Sequence, residues 1–148
     1  MYPNEPIHLG NAVKPLPENG QVPILNEWRW IHTPGHSPGH VSFYREKDGL
    51  LIAGDAFITV RQDSFYNVLM QNREINGPPR YLTTDWEAAQ NSVEELAKLK
   101  INTVVPGHGQ SMSGEELQEG LIRLVKEFSQ LAIPNYGQYV GNDNNLHS

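Results

Sequence analysis

Histidines and an aspartate follow three runs of residues that predict β-strands. Residues 32–40 read His-Thr-Pro-Gly-His-Ser-Pro-Gly-His, Gly54-Asp55 follows an apolar run, and Pro106-Gly107-His108 follows another. Strand ends that meet at one rim of a sheet bring imidazole nitrogens and a carboxylate together. Zinc and similar divalent ions take these donors, and a carboxylate can bridge two ions that lie about 3.5–4 Å apart. The spacing therefore predicts a metal site, with Asp55 as the candidate bridge.

The histidine stretch is predicted to be a loop. Its two prolines lack backbone N–H donors and restrict the residues before them, and its two glycines loosen the chain. His32, His36 and His40 therefore do not form an i, i+4 ladder on a helix.

Sequence periodicity predicts the elements that position these residues. Strands are expected at 28–32, 41–44, 50–53 and 103–105, with a short strand that begins at Val22. The Asp-Gly pair at 48–49 predicts a tight hairpin turn between two antiparallel strands. Two helices are expected to begin at the capping boxes Thr84-Asp85-Trp86-Glu87 and Ser113-Gly114-Glu115-Glu116, and to pack on one face of the sheet.

The region from 57 to 84 shows no clear period. Its aromatic residues Phe65, Tyr66 and Tyr81 are interpreted as core or interface residues, with substrate contact as the alternative. Residues 1–20 are predicted to be an irregular arm, residues 21–133 the folded domain, and residues 134–148 a flexible tail rich in Asn and Gly.

Three motifs, in this order, resemble the metallo-β-lactamase superfamily, and in particular its glyoxalase II-like branch. Residues 33–40 are similar to the family loop Thr-Pro-Gly-His-Thr-x-Gly-His, residues 51–55 to the strand that carries its bridging aspartate, and residues 104–109 to its last ligand loop. The resemblance implies an α/β (α+β) fold that belongs to an αββα sandwich. In this fold, two helices pack on one face of a mostly antiparallel sheet. It also implies that His36 ligates one ion, His108 the second, and Asp55 both, so that Asp55 is the catalytic ligand.

The family's first ligand cluster, His-x-His-x-Asp-His, does not occur in this sequence. We therefore expect the chain to correspond to the C-terminal half of the family domain only, as a fragment or truncated product. Three ligands divided between two ions form an incomplete site. Zinc, or another divalent metal, is expected to bind the isolated chain weakly or not at all.

Each candidate residue has a structural alternative. A histidine in a Pro-Gly loop can be a hydrogen-bonded turn residue, and Asp55 could simply form a turn. For His32 and His40 the structural interpretation is favoured: we expect them to hold the loop, or the ligands, through hydrogen bonds.

Composition restricts the function further. The sequence has no cysteine, so disulfides and thiolate ligands are excluded and any metal is held by nitrogen and oxygen. A net charge of −6 disfavours nucleic-acid binding, which needs a basic surface. No apolar run approaches the roughly 20 residues of a membrane span, and no signal segment is visible at the amino terminus. A cytoplasmic location without membrane or nucleic-acid partners is expected.

The resemblance implies metal-assisted hydrolysis of a small-molecule substrate in the full-length protein, with a thioester, a lactone or a related ester as the favoured class. Two other classes stay open. The chain could be a non-catalytic half-domain that self-associates through an exposed sheet face, forming a homo-oligomer, or a module that binds a single metal ion through His36, Asp55 and His108.

Overall fold

A computed structural model describes residues 9–60, 73–80 and 82–133 of the chain. The main elements, in chain order, are β1 (Trp28–His32), β2 (Val41–Arg45), β3 (Leu50–Gly54), β4 (Ile58–Val60), β5 (Arg73–Asn76), α1 (Trp86–Ala97), β6 (Thr103–Pro106), β7 (Met112–Ser113), α2 (Gly114–Lys126) and α3 (Phe128–Leu131). The aromatic residues Phe65, Tyr66 and Tyr81 and the tail at 134–148 lie outside the described residues, as do residues 1–8 of the arm and residues 61–72.

The main sheet has five strands in the order β1-β2-β3-β6-β7. Neighbouring strands are antiparallel except β3 and β6, which are parallel. The predicted mostly antiparallel mixed α/β fold is confirmed, and the four main predicted strands lie within one residue of their expected bounds. The strand expected from Val22 is wrong: the structure has a single bridge between Gln21 and Arg29 there.

The helices cover one face of the sheet, as predicted. Strand residues that point to this face join apolar residues of the helices in a single core; among them are Tyr44, Leu51, Val104, Val93, Leu96, Leu117 and Leu124. Because residues i, i+2 share one face of a strand, the alternation that predicted the strands also selects these core positions. A third, four-residue helix was not predicted, because the apolar stripe of α2 continues into α3 across a break at Glu127.

The helix starts are close to the predicted capping boxes but differ in their hydrogen bonds. Asp85, rather than Thr84, is the N-cap of α1, and its carboxylate accepts from the backbone N–H of Ala88 at 2.9 Å. Ser113 is the N-cap of α2 as expected, although its side chain makes no capping hydrogen bond.

A second, two-stranded sheet lies in the region without a clear sequence period. Strands β4 and β5 pair antiparallel, and β5 packs against α2. Among the described helices, none combines the length and apolarity needed to cross a membrane.

Candidate metal centre

Asp55 stands directly after β3, where the carboxylate faces two histidines from two other loops. Its Oδ2 lies 3.5 Å from His36 Nε2, and its Oδ1 lies 3.5 Å from His108 Nε2. The histidine before β2 and the histidine after β6 meet Asp55 because β3 is central in the sheet, with β2 and β6 as its neighbours. The structure thus brings together the three residues that the resemblance named as ligands.

The loop that carries His36 is fixed on the amino end of α1. The Ser92 hydroxyl donates to Pro34 O at 2.7 Å, and the backbone N–H groups of Thr84 and Asp85 donate to Gly35 O at 3.1 and 3.0 Å. Thr84 is therefore used to hold the histidine loop, which explains why Asp85 takes over the cap of the helix.

Thr83 orients the His36 ring. The Thr83 hydroxyl donates to Pro79 O at 2.7 Å, so its oxygen is free to accept from His36 Nδ1–H, 3.4 Å away. With the proton on Nδ1, the Nε2 atom keeps its lone pair on the side of Asp55, as a metal ligand requires. Sequence analysis missed Thr83, which has no motif and reaches His36 only through the fold.

The His108 loop is held by β4 and by the Asp55 turn. Gly107 N donates to Gly54 O at 2.8 Å, and Thr59 N donates to His108 O at 3.2 Å while the buried Thr59 hydroxyl donates to Gln110 O. A Cβ atom at Gly107 would lie 2.4 Å from Asp55 Oδ1, so a larger residue would displace the carboxylate. Thr59 was also missed by sequence analysis, since β4 itself was not predicted.

The two histidines that face Asp55 differ in exposure and support. The His36 side chain is 14% exposed and that of His108 is 59% exposed. The His36 ring is held through Nδ1 by Thr83, whereas no described residue makes a hydrogen bond to the His108 ring. His36 is therefore the more preorganised of the two.

His32 and His40 lie in the same loop but bond to backbone groups. The His32 ring lies 2.8 Å from Pro38 O through Nε2, an interaction that ties the loop to itself. His40 Nε2 lies 2.9 Å from the backbone N of Asp55. Burial lowers the pKa of His40 below its ordinary value, against the opposing effects of a hydrogen bond to Thr33 and the charge of Asp55.

His36 and Asp55 form one pair of donors, and His108 and Asp55 form a second pair. Each pair suits a divalent metal ion. Asp55 Oδ1 is a buried oxygen with no hydrogen-bond partner among the described residues, whereas most buried polar atoms in proteins have one. Within residues 9–60, 73–80 and 82–133, no three His, Cys, Asp or Glu side chains form a group that could hold an ion. The nitrogen and oxygen donors fit a pair of incomplete metal sites better than one complete site.

Comparison with known proteins agrees with this geometry. The family model described as the metallo-beta-lactamase superfamily matches residues 2–108. The chain belongs to the metallo-beta-lactamase superfamily. The superfamily predicted from the three sequence motifs is thereby confirmed.

Relatives and solved structures of this superfamily extend the comparison. Probable metallo-hydrolase YflN of Bacillus subtilis (strain 168) is 43% identical over 131 residues, which are 88% of this chain and 50% of that protein. Probable metallo-hydrolase YybB of the same organism is 29% identical over 82% of this chain and 51% of that protein. The chain thus spans about half the length of these relatives. The crystal structure of the metallo-beta-lactamase family protein TTHA1429 from Thermus thermophilus shares the fold, with a TM-score of 0.51 and 22% identity over 78% of this chain and 35% of that one.

Proposed function

We propose that this chain contributes part of the metal site of a metal-dependent hydrolase, in which His36 ligates one divalent ion, His108 a second, and Asp55 both. The observation that carries the proposal is the Asp55 carboxylate, whose two oxygens face Nε2 atoms of different histidines at 3.5 Å. Superfamily membership and relatives named as metallo-hydrolases support it.

The residues of this chain would act by fixing position and charge. Asp55 supplies the negative charge shared by the two pairs, Thr83 orients the His36 ring, and Thr59 holds the loop that carries His108. Divalent ions at these residues would supply Lewis acidity, which polarises a carbonyl or phosphoryl oxygen and lowers the pKa of water toward about 7. Zinc is the proposed metal because imidazole and carboxylate suit it, and other divalent metals share this preference in part.

We further propose that hydrolysis requires ligands that this sequence does not contain. A zinc ion is usually held by three or four protein groups, and each pair here supplies two. The family cluster His-x-His-x-Asp-His is the proposed source of the others. The 148-residue chain is then inactive by itself, and a longer polypeptide that includes the cluster is active.

The proposed substrate is a thioester, a lactone or a related ester. The support is the likeness of residues 33–40 to the glyoxalase II-like histidine loop. The fold alone does not distinguish these substrates from β-lactams or phosphodiesters, since one scaffold hosts many reactions.

A chimera tests this proposal directly. The chain is fused to the half of probable metallo-hydrolase YflN that it does not match, and hydrolysis of a thioester, a lactone, a β-lactam and a phosphodiester is measured with zinc. We expect zinc-dependent turnover of the thioester or lactone, and Asp55→Asn should lower this activity by more than about 100-fold. Mutating a residue that only hydrogen-bonds a metal ligand already lowers activity or metal affinity by about 10–100-fold. A folded chimera that binds two zinc ions and hydrolyses none of the four would contradict the proposal.

A second candidate function is self-association of a non-catalytic half-domain, which one feature of the sheet favours. On the face opposite the helices, Trp30, Phe43, Ile52 and Val105 are paired neighbours in a row across four strands. Ile52 is 38% exposed and Val105 is 41% exposed. An apolar row of this kind can drive association by removing its surface from water.

Sedimentation velocity distinguishes a self-associating chain from a monomer. A self-associating chain sediments as a dimer or larger species, and Ile52→Lys returns it to a monomer, while Ile122→Lys, on the exposed side of α2, serves as the control. A wild-type chain that stays monomeric at high concentration would exclude self-association.

A further inference from the structure

His40 lies beside the candidate metal centre but directs neither ring nitrogen at the Asp55 carboxylate. Its Nε2 is 2.9 Å from the backbone N of Asp55. Its Nδ1 is 2.9 Å from the Thr33 hydroxyl and 3.1 Å from Thr33 O. Both nitrogens are therefore engaged within the fold.

The position of each proton in this network follows from the partners. A peptide N–H can only donate, so His40 Nε2 accepts from Asp55 and carries no proton, and the ring proton lies on Nδ1. The Ser42 hydroxyl donates to Ala53 O at 3.0 Å. Its oxygen, 3.0 Å from Thr33 Oγ1, is then the acceptor for the Thr33 hydroxyl. Thr33 Oγ1 in turn accepts from His40 Nδ1–H.

These hydrogen bonds form a circuit around the turn that carries Asp55. The circuit begins at the backbone N–H of Asp55, passes through His40, Thr33 and Ser42, and ends at the carbonyl of Ala53, two residues before Asp55. Thr33 is 1% exposed and Ser42 is fully buried, so water does not compete for the bond between their hydroxyls. Gly54, at φ +57°, is the residue enclosed between the two ends.

We infer that His40 is a positioning residue that acts as the neutral Nδ1–H tautomer, fixes the Gly54–Asp55 backbone, and does not ligate metal. Ligation through Nε2 would break the bond to Asp55 N and leave that N–H without its acceptor. Ligation through Nδ1 would break the circuit at Thr33. The effect on metal affinity rests on the proposed function, whereas the tautomer and the circuit do not.

The tautomer is measured on the metal-free chain by long-range ¹H–¹⁵N spectroscopy of its histidine rings. We expect His40 to show the Nδ1–H pattern and to keep it when zinc is added. An Nε2–H pattern, or a movement of the His40 ring nitrogens on zinc addition comparable to that of His36, would overturn the inference. This measurement uses the wild-type chain and so does not depend on the folding of a variant.

Two substitutions test the positioning role. His40→Gln places an amide oxygen near the position of Nε2, where it can accept from Asp55 N–H, and His40→Ala removes the acceptor. In the chimera with the unmatched half of YflN, we expect His40→Ala to weaken zinc binding about 10-fold or more, and His40→Gln to restore most of it. Equal loss in both variants, or no loss in either, would overturn the role. If the chimera with the unmatched half of YflN binds no zinc, the proposed function fails, while the tautomer measurement still decides the circuit.

Discussion

Replacing Asp55 by asparagine lowers the zinc affinity of the chain by more than about 100-fold at both histidines. The fold stays intact. Asparagine has the size of aspartate but lacks its charge, and each ion would lose its only anionic ligand among the residues described around it. Loss of a ligand should lower zinc affinity by more than the roughly 10–100-fold that follows when a residue hydrogen-bonded to a ligand is lost. Equilibrium dialysis with zinc measures the change.

Stability provides the second half of this prediction. Because the buried Asp55 Oδ1 has no hydrogen-bond partner among the described residues, the Asp55 charge contributes little to the free energy of unfolding. We therefore expect the free energy of unfolding to change by less than about 1 kcal/mol, or to rise, as often occurs when a functional group is removed. Asp48→Asn is the control, since Asp48 is an exposed partner of Arg45 far from the histidines. Equal zinc affinity in Asp55→Asn and the wild type would contradict the prediction.

The second large effect is expected at Gly35. Its φ is +135°, and a Cβ atom would lie 2.4 Å from the Cα of Ala89 in α1. Gly35→Ala therefore combines backbone strain with a collision against helix backbone, each of which costs about 1–3 kcal/mol. We expect a loss of about 3 kcal/mol or more in the free energy of unfolding, measured by urea with tryptophan fluorescence.

Gly39, in the same loop, is the matched control. A Cβ atom at Gly39 meets nothing within 4 Å. Gly39→Ala should change the free energy of unfolding by less than about 1 kcal/mol, with a small gain where alanine restricts the unfolded chain. Equal free energies of unfolding for Gly35→Ala and Gly39→Ala would contradict the prediction, because the close packing of Gly35 against α1 would then not stabilise the protein.

Local sequence was sufficient to predict the framework of the site. Asp55 and His108 each follow a short apolar strand, and the loop residues around His36 exclude a helix, so their place at strand ends follows from local chemistry. The motif resemblance supplied their grouping, and the structure shows the three side chains together. That the site binds metal is still a prediction.

Other features depend on tertiary contacts that local patterns do not encode. Thr83 and Thr59 are ordinary hydroxyl residues until the fold brings them to the two histidine loops. Thr84 fits a capping box, yet it bonds to Gly35 O because the histidine loop docks there. Strands β4 and β5 are short, and β4 is buried at every position, so neither has the alternation that identifies a half-exposed strand.

Zinc titration of the ¹⁵N-histidine-labelled chain, followed through the ring nitrogens, tests the central proposal most directly. We predict that Nε2 of His36 and His108 shifts, with His36 responding at lower zinc because Thr83 already orients its ring, while His32 and His40 stay unchanged. Weak affinity does not prevent the measurement, since fast exchange still moves the resonances. Unchanged His36 and His108 at all zinc concentrations, or a response confined to His32 and His40, would contradict the assignment of the metal centre.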